Sequence, residues 1–288
     1  MTKIEWTETT VNVITGCTQY SEGCQNCYAK AMHKRLTAMG QEKYKEPFNK
    51  VVCHNILSEL NKKINKKTNM CFINSMSDTF HKDVSDRYIE NLLYNLSLFP
   101  SVNFQILTKR AERIIKFDYP DNVWLGVTVE NASYKDRIDY LKKTNAKIKF
   151  LSCEPLLSDL GELNLNGIDW VIVGGESGFN ARPCHPDWIR NIQKQCQEQR
   201  VAFFFKQWGE WKPVYERDKE GTTDNYYNGK ESDYYNLTYQ KNYTRLNFAS
   251  GYGFHGDNVT YYQKVGKQKS GCLLDGKEYK EYPQKVSK

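Results

Sequence analysis

Three cysteines crowd into one short segment, Gly16-Cys17-Thr18-Gln19-Tyr20-Ser21-Glu22-Gly23-Cys24-Gln25-Asn26-Cys27-Tyr28, with the spacing C-x6-C-x2-C. A structural zinc takes four protein ligands, whereas a four-iron cluster held by three thiolates leaves one iron open to a further ligand. Three thiols rather than four therefore point toward chemistry. A zinc site is the alternative, and it needs a fourth ligand, for which His33, Cys53 or His54 could serve. The other six cysteines (Cys53, Cys71, Cys153, Cys184, Cys196, Cys272) are scattered, the pattern of small apolar core residues or inert thiols rather than a disulfide framework.

Other reactive side chains recur at the ends of apolar runs. They are Asn74-Ser75-Met76-Ser77-Asp78, Thr108-Lys109-Arg110, Glu130-Asn131, Cys153-Glu154-Pro155, Gly174-Gly175-Glu176-Ser177-Gly178 and Lys206-Gln207-Trp208. Carboxylates and ammonium groups next to buried runs cost free energy unless they are paired or used. Gly174-Gly175 admits close backbone approach to a ligand. Glu176 suits an ammonium or a ribose hydroxyl, and Lys109 and Arg110 suit a carboxylate or phosphate. The pair is not a G-x-G-x-x-G fingerprint, and no P-loop is present. No Ser-His-Asp set is legible. The five histidines, His33, His54, His81, His185 and His255, are spread out and read as structural, with His185 before Pro186 capping a helix.

The elements that must position these groups follow from periodicity. Apolar runs at Met70–Ser75, Asn103–Thr108, Val123–Val129, Ile148–Cys153, Asp169–Gly174 and Val201–Lys206 predict strands covered on both faces, with Thr10–Thr15 a weaker first member. Helical stripes lie between them. They are Tyr28, Ala31, Met32, Arg35, Leu36 and Met39; then Ile89, Leu92, Leu93 and Leu96 behind a Ser85 N-cap; then Tyr134, Ile138 and Leu141; then Ile189, Ile192 and Cys196. Repeated βα units of this kind predict an α/β fold with parallel strands, a full or partial (β/α) TIM-like barrel; a doubly wound open sheet is the runner-up. In such folds functional groups gather at the C-terminal strand ends.

The 288 residues divide into a barrel over 1–212 and a C-terminal cap or insert with a closing segment over 213–288. Residues Glu216–Tyr243 are polar and lack helical periodicity, and twelve of the twenty tyrosines lie beyond residue 212. That predicts a tyrosine-rich inserted loop or small β-rich cap, able to pack as a lid or to stack bases. The net charge is +7, and the stretch Lys30–Lys67 alone carries ten Lys or Arg against three Glu. Such a patch suits an anionic partner such as nucleic acid, or is a solvated face. No apolar run of about 18 residues is present, so no membrane helix is expected. The N-terminal residues lack the apolar stretch of a signal peptide, and a cytoplasmic location is expected.

The cysteine segment after a first strand, at the rim of a βα barrel, resembles the radical S-adenosylmethionine (radical SAM) superfamily. More specifically the chain resembles the phage "three-Cys-motif" family of radical-SAM-like proteins. The matching segments are Ile4–Thr7, Gly16–Tyr28, Ser75–His81, Gln105–Arg110, Trp124–Asn131, Phe150–Leu157, Trp170–Gly178, Ala181–Trp188, Phe203–Gly209 and the closing Gly266-Lys267, Gly271 and Leu274-Asp275-Gly276. Two departures stand: the commonest superfamily spacing is C-x3-C-x2-C, and Asn26 stands where an aromatic usually precedes the last cysteine.

The resemblance implies that Cys17, Cys24 and Cys27 hold a [4Fe–4S] cluster whose open iron binds SAM, and that an electron donor drives SAM cleavage to a 5′-deoxyadenosyl radical. It implies that Ser75, Ser77 and Asp78 lie where the methionine amino group is held. Glu130 and Asn131 then suit the ribose, and Gly174, Gly175, Glu176 and Ser177 the adenine or carboxylate. Lys109, Glu154 and Lys206 are the candidates for substrate or SAM contacts. The expected substrate is a nucleic acid or nucleotide in a bacterial or phage-infected cytosol, with a partner protein encoded nearby. A non-catalytic partner subunit with a structural cluster is a further alternative.

Overall fold

A computed structural model describes residues 4–217, 224–226, 243–247 and 259–284. Its centre is a seven-stranded sheet. The strands are β1 (Thr9–Val11), β2 (Met70–Ile73), β3 (Asn103–Thr108), β4 (Val123–Thr128), β5 (Ile148–Cys153), β6 (Trp170–Gly174) and β7 (Ala202–Gln207). They pair in that order, and every pairing is parallel. The sheet curls into a half-barrel. Six of the seven strands coincide with the apolar runs predicted from sequence; of the weaker first run, Thr10–Thr15, only Thr10–Val11 lies in β1, while Ile14–Thr15 pairs antiparallel with Val52–Cys53 apart from the main sheet. The sequential order excludes the doubly wound arrangement, in which the order reverses at a switch point.

Why the runs are apolar throughout is clear from the two faces. One face packs on helices α1 (Tyr28–Ala38), α2 (Ile56–Asn61), α3 (Asp86–Ser97), α4 (Asp136–Lys142) and α5 (Pro186–Gln199) only in part: α2 to α5 supply Leu60, Ile89, Leu92, Ile138, Leu141, Ile189 and Ile192 to a core with Ile73, Phe104, Ile106, Leu125, Val127, Val171 and Phe205. The other face carries a second core of strand residues and Trp6: Phe72, Trp124, Ile148, Phe150, Trp170, Ile172 and Phe204. Alternation along a strand sends neighbours to opposite faces, so each strand is apolar on both. The inner face is filled by rings. Trp6 and Trp124 each meet Trp170 edge-on, at 6.2 and 6.1 Å between centroids. Gly126 makes room for Phe150: a Cβ there would stand 2.4 Å from its ring.

The helix signals hold in most places. The Ser85 hydroxyl caps α3 by accepting the Tyr88 N–H at 3.2 Å, and His185 Nδ1 caps α5 by accepting the Asp187 N–H at 3.2 Å. The α1 stripe does not hold. Ala29 and His33 are buried, while Tyr28, Met32 and Met39 are exposed. The reason is the partner: α1 packs on Tyr44 and Phe48, whose rings meet His33 edge-on at 5.5 and 5.4 Å. A side chain there is sorted by that small aromatic contact, not by the sheet.

The edge strand β7 is covered. Phe205 N–H donates to the Tyr279 carbonyl at 2.9 Å and Glu281 N–H to the Phe203 carbonyl at 3.2 Å, so the closing segment runs antiparallel along it. A second, antiparallel sheet joins β8 (Trp211–Arg217), β9 (Asp224–Tyr226), β10 (Tyr243–Asn247) and β11 (Val259–Lys264) in the order β9-β8-β11-β10. Most of the tyrosine-rich segment 216–243 lies outside the described residues, as does His255. Among the described residues no helix is long and apolar enough to cross a membrane.

Candidate functional site: the cysteine loop and the strand-end rim

The cysteine loop begins at a turn only glycine can make. Gly16 has φ +81°, and a Cβ there would stand 2.0 Å from the Lys50 carbonyl oxygen. The Cys17 N–H then donates to the Phe48 carbonyl at 2.7 Å, a 3-10 turn covers Glu22–Cys24, and α1 starts immediately after Cys27. Cys17, Cys24 and Cys27 are all half-buried free thiols. Burial pushes the Cys17 thiol up to about 12; Asp78 raises it further, Arg110 lowers it, and Cys24 and Cys27 add to the rise. The loop thus brings three thiols into one another's field.

The rim groups fasten this loop. At the end of β2, the Asn74 Oδ1 accepts the Ile14 N–H at 2.9 Å, and the Ser77 hydroxyl donates to the Gly16 carbonyl at 2.5 Å. Ser75 uses its hydroxyl on Asn12 Oδ1 at 3.2 Å and its carbonyl on the Tyr28 hydroxyl. Buried Asp78 accepts from the Phe80 N–H, the Thr108 hydroxyl, the Lys109 N–H and Arg110 Nη1, the last at 3.1 Å. Arg110 Nη2 in turn donates to the Thr18 carbonyl at 3.1 Å, and the Thr18 hydroxyl meets His81 Nε2 at 2.7 Å. The Tyr20 ring lies 4.8 Å from the Arg110 guanidinium.

Glu130 is the most enclosed of the rim carboxylates, with no exposed surface. It accepts from the Ser21 hydroxyl, from Lys109 Nζ at 3.0 Å and from Arg137 Nη1 at 2.7 Å. Burial pushes its carboxyl up, but Lys109 and Arg137 with the Ser21 and Lys109 hydrogen bonds outweigh that and hold it below the usual carboxylate range. Asn131 Nδ2 donates to Glu22 Oε2 at 2.9 Å while its Oδ1 accepts the Ser133 N–H at 2.8 Å. Just past the end of β6, buried Glu176 accepts from Asn26 Nδ2 at 3.1 Å and from Arg182 N, Nε and Nη2 at 2.8, 2.9 and 2.7 Å. Arg182 also reaches Glu22 at 3.0 Å.

Lys109, Glu130, Glu154 and Lys206 continue the alternation that puts Leu107, Trp124, Phe150 and Phe204 on the inner face. They meet there as two ion pairs, Lys109 with Glu130 and Lys206 with Glu154, the latter through both oxygens at 2.7 and 2.9 Å. Gly174 leaves room for Glu154, whose carboxyl carbon would stand 3.3 Å from a Cβ there. Gly175 lies against the Trp208 carbonyl, 1.9 Å from where a Cβ would be. The Ser177 hydroxyl is buried with no partner among the described residues.

The rim therefore brings Ser77, Asp78, Lys109, Glu130, Asn131 and Glu176 to the cysteine loop directly or through one residue. Glu154 and Lys206 form a separate pair. Thr18, Ser21, Asn26, Arg137 and Arg182 hold the loop as well, and sequence reading assigned them nothing. Arg137 was within reach of that reading, since it lies seven residues after Glu130 on the helix that follows β4. Of the residues weighed as a fourth zinc ligand, His33 is engaged in its aromatic contact and His54 Nε2 with the Thr15 hydroxyl at 2.9 Å, while Cys53 is an exposed thiol.

The donor set fits an iron–sulfur cluster in kind: three thiols on one loop, half-buried, with no fourth cysteine on that loop. Among the described residues no group of three or more His, Cys, Asp or Glu is drawn together as around a single ion. A four-iron cluster spreads its thiolates over separate irons, so it asks for less convergence than one zinc does.

Of the basic stretch 30–67, Lys43 and Lys62 pair with Glu59, Lys45 with Glu42 and Lys50 with Glu46. Lys30, Lys34 and Arg35 on α1 are exposed and make no ion pair among the described residues. No curated protein matches the chain, and no solved structure does. Residues 1–283 match one family along nearly the whole chain, and the chain belongs to that family, described as "Protein of unknown function (DUF5131)".

Proposed function

We propose that this is a radical-SAM-like iron–sulfur enzyme in which Cys17, Cys24 and Cys27 hold a [4Fe–4S] cluster and the strand-end rim of the half-barrel, above its aromatic core, receives SAM and a nucleic-acid or nucleotide substrate. The observation that carries the reading is the fastening of a three-thiol loop by charged groups from successive strand ends of a parallel half-barrel. Bound together, cluster and SAM supply a 5′-deoxyadenosyl radical for hydrogen abstraction when an electron donor reduces the cluster. The chain's own work is to position and to exclude water. Glu130, Asp78 and Glu176 fix the loop through Ser21, Arg110 and Asn26. The Lys206–Glu154 pair presents an ammonium and a carboxylate on the inner face, where a substrate or SAM carboxylate or amine can exchange with one of them. The aromatic floor under them keeps that end dry. The resemblance to the phage "three-Cys-motif" family and a partner protein encoded nearby belong to the same reading.

Anaerobic reconstitution with iron and sulfide tests it. About four irons per chain, and a cluster EPR signal perturbed by SAM, are expected. Retention of iron by the triple variant with Cys17, Cys24 and Cys27 all changed to Ser overturns it. So does one tetrahedral zinc per chain in the natively purified protein.

A further inference from the structure

Phe179 is 90% exposed, more than any other large hydrophobic side chain among the described residues. Leaving such a ring in water forgoes the gain from burying it. Its support, by contrast, is held at every residue. Ala181 N–H donates to the Gly178 carbonyl at 3.1 Å, closing a turn over Gly178–Ala181. Gly178 N–H donates to Glu210 Oε1 at 3.0 Å and Trp211 Nε1 to the Ala181 carbonyl at 2.6 Å. Lys264 Nζ donates to the Phe179 carbonyl, and Asn26 Nδ2 to the Asn180 carbonyl at 2.9 Å. The turn is held by hydrogen bonds through its backbone, and the ring adds only its contact with Lys264.

The surroundings indicate what the ring is for. Lys264 Nζ lies over the ring, 5.1 Å from its centroid, so a cation backs one face of the aromatic while the side chain stays 90% exposed. Asn26 precedes Cys27, which ties the turn to the cysteine loop. Directly after that loop α1 opens with Tyr28, 53% exposed, and carries Lys30, Lys34 and Arg35, exposed and without an ion pair among the described residues. Free aromatic faces beside cations bind single-stranded nucleic acid, because bases stack on rings while cations follow the phosphates. A duplex hides its base faces, and an acidic peptide has use for the cations but not for a flat ring.

We propose that Phe179 is a base-stacking platform, and that its turn and the cations of α1 receive a single-stranded nucleic acid beside the cysteine loop. The inference narrows the substrate class of the function proposed above and rests on that reading only for what the strand is brought to.

Fluorescence anisotropy on the reconstituted full chain tests it, with a labelled single-stranded DNA of about 16 nucleotides, the RNA of the same sequence and the DNA duplex as probes. At least one single strand is expected to bind, more weakly as salt rises. Phe179→Ala is expected to weaken binding about tenfold while Phe179→Trp keeps it, since stacking needs any large aromatic face. The triple variant K30A/K34A/R35A is expected to weaken binding and flatten its salt dependence. Iron content and the unfolding midpoint of each variant are measured alongside. No single-strand binding, equal binding of the duplex, an unaffected Phe179→Ala variant, or Phe179-dependent binding of a polyglutamate peptide instead of a strand each overturns the proposal. A chain that loads no iron yet binds the strand through Phe179 removes the iron–sulfur reading and leaves this one standing. A four-iron chain whose Phe179→Ala variant binds like the parent does the reverse.

Discussion

The Glu130 carboxylate and the Arg137 guanidinium meet at 2.7 Å with both side chains buried, and the same carboxylate holds Ser21 of the cysteine loop. One buried charge therefore joins strand β4, helix α4 and the loop. Removing one member of such a pair strands the other in low dielectric. Glu130→Ala should lower stability by about 3–5 kcal/mol, read from urea unfolding. Glu130→Gln should cost less, because an amide still accepts from Arg137.

The same group sets an acid limb. Its folded pKa lies below the unfolded value of about 4.3, so its contribution is fully present above that value and is lost as pH falls through the folded pKa. Unfolding free energy should fall with pH below about 4.5, and the difference between the parent and Glu130→Gln should shrink across that window. A difference that stays constant from neutral pH down through the acid limb would count against this assignment.

Gly126 should be intolerant for a local reason. A methyl there meets the Phe150 ring at 2.4 Å, inside the aromatic core. Gly126→Ala is expected to cost about 1–3 kcal/mol, and the double variant with Phe150→Leu should recover part of that cost. Additive effects in the double-mutant cycle would show that the ring is not what opposes the methyl.

The closing segment should protect β7. Ending the chain at residue 276 removes the acceptor of the Phe205 N–H and the Glu281 carboxylate that accepts the Phe203 N–H at 3.0 Å. Faster hydrogen exchange at Phe203 and Phe205 is expected, with exchange in β3 and β4 unchanged. Light scattering should rise as well, since an uncovered strand edge pairs with other chains.

The cysteines should divide into two groups. Cys153 is buried in the outer core, where a serine hydroxyl without a partner costs about 1–3 kcal/mol. Cys153→Ser should lower the melting temperature and leave the reconstituted iron content intact. Cys24→Ser should do the opposite, being half-buried on the loop. Melting curves and iron analysis on the same samples separate the two.

The sequence by itself determined six of the seven strands, most helix faces and the identity of the rim residues. Each of those is a local property: an apolar run such as Ile148–Cys153, a stripe such as Ile189, Ile192 and Cys196, a cap such as Ser85 or His185. The cysteine loop was legible for the same reason, because its three thiols lie within eleven residues. Only the tertiary structure decided the partnerships. Ser21 meets Glu130 across 109 positions, and Asn26 meets Glu176 across 150. Such pairs follow from sheet order and curl, which no local pattern encodes. The α1 face misled because Tyr44 and Phe48, not the sheet, chose Ala29 and His33 for burial. Phe179 carried no signal in the sequence at all, since exposure of an aromatic depends on what the rest of the chain leaves uncovered.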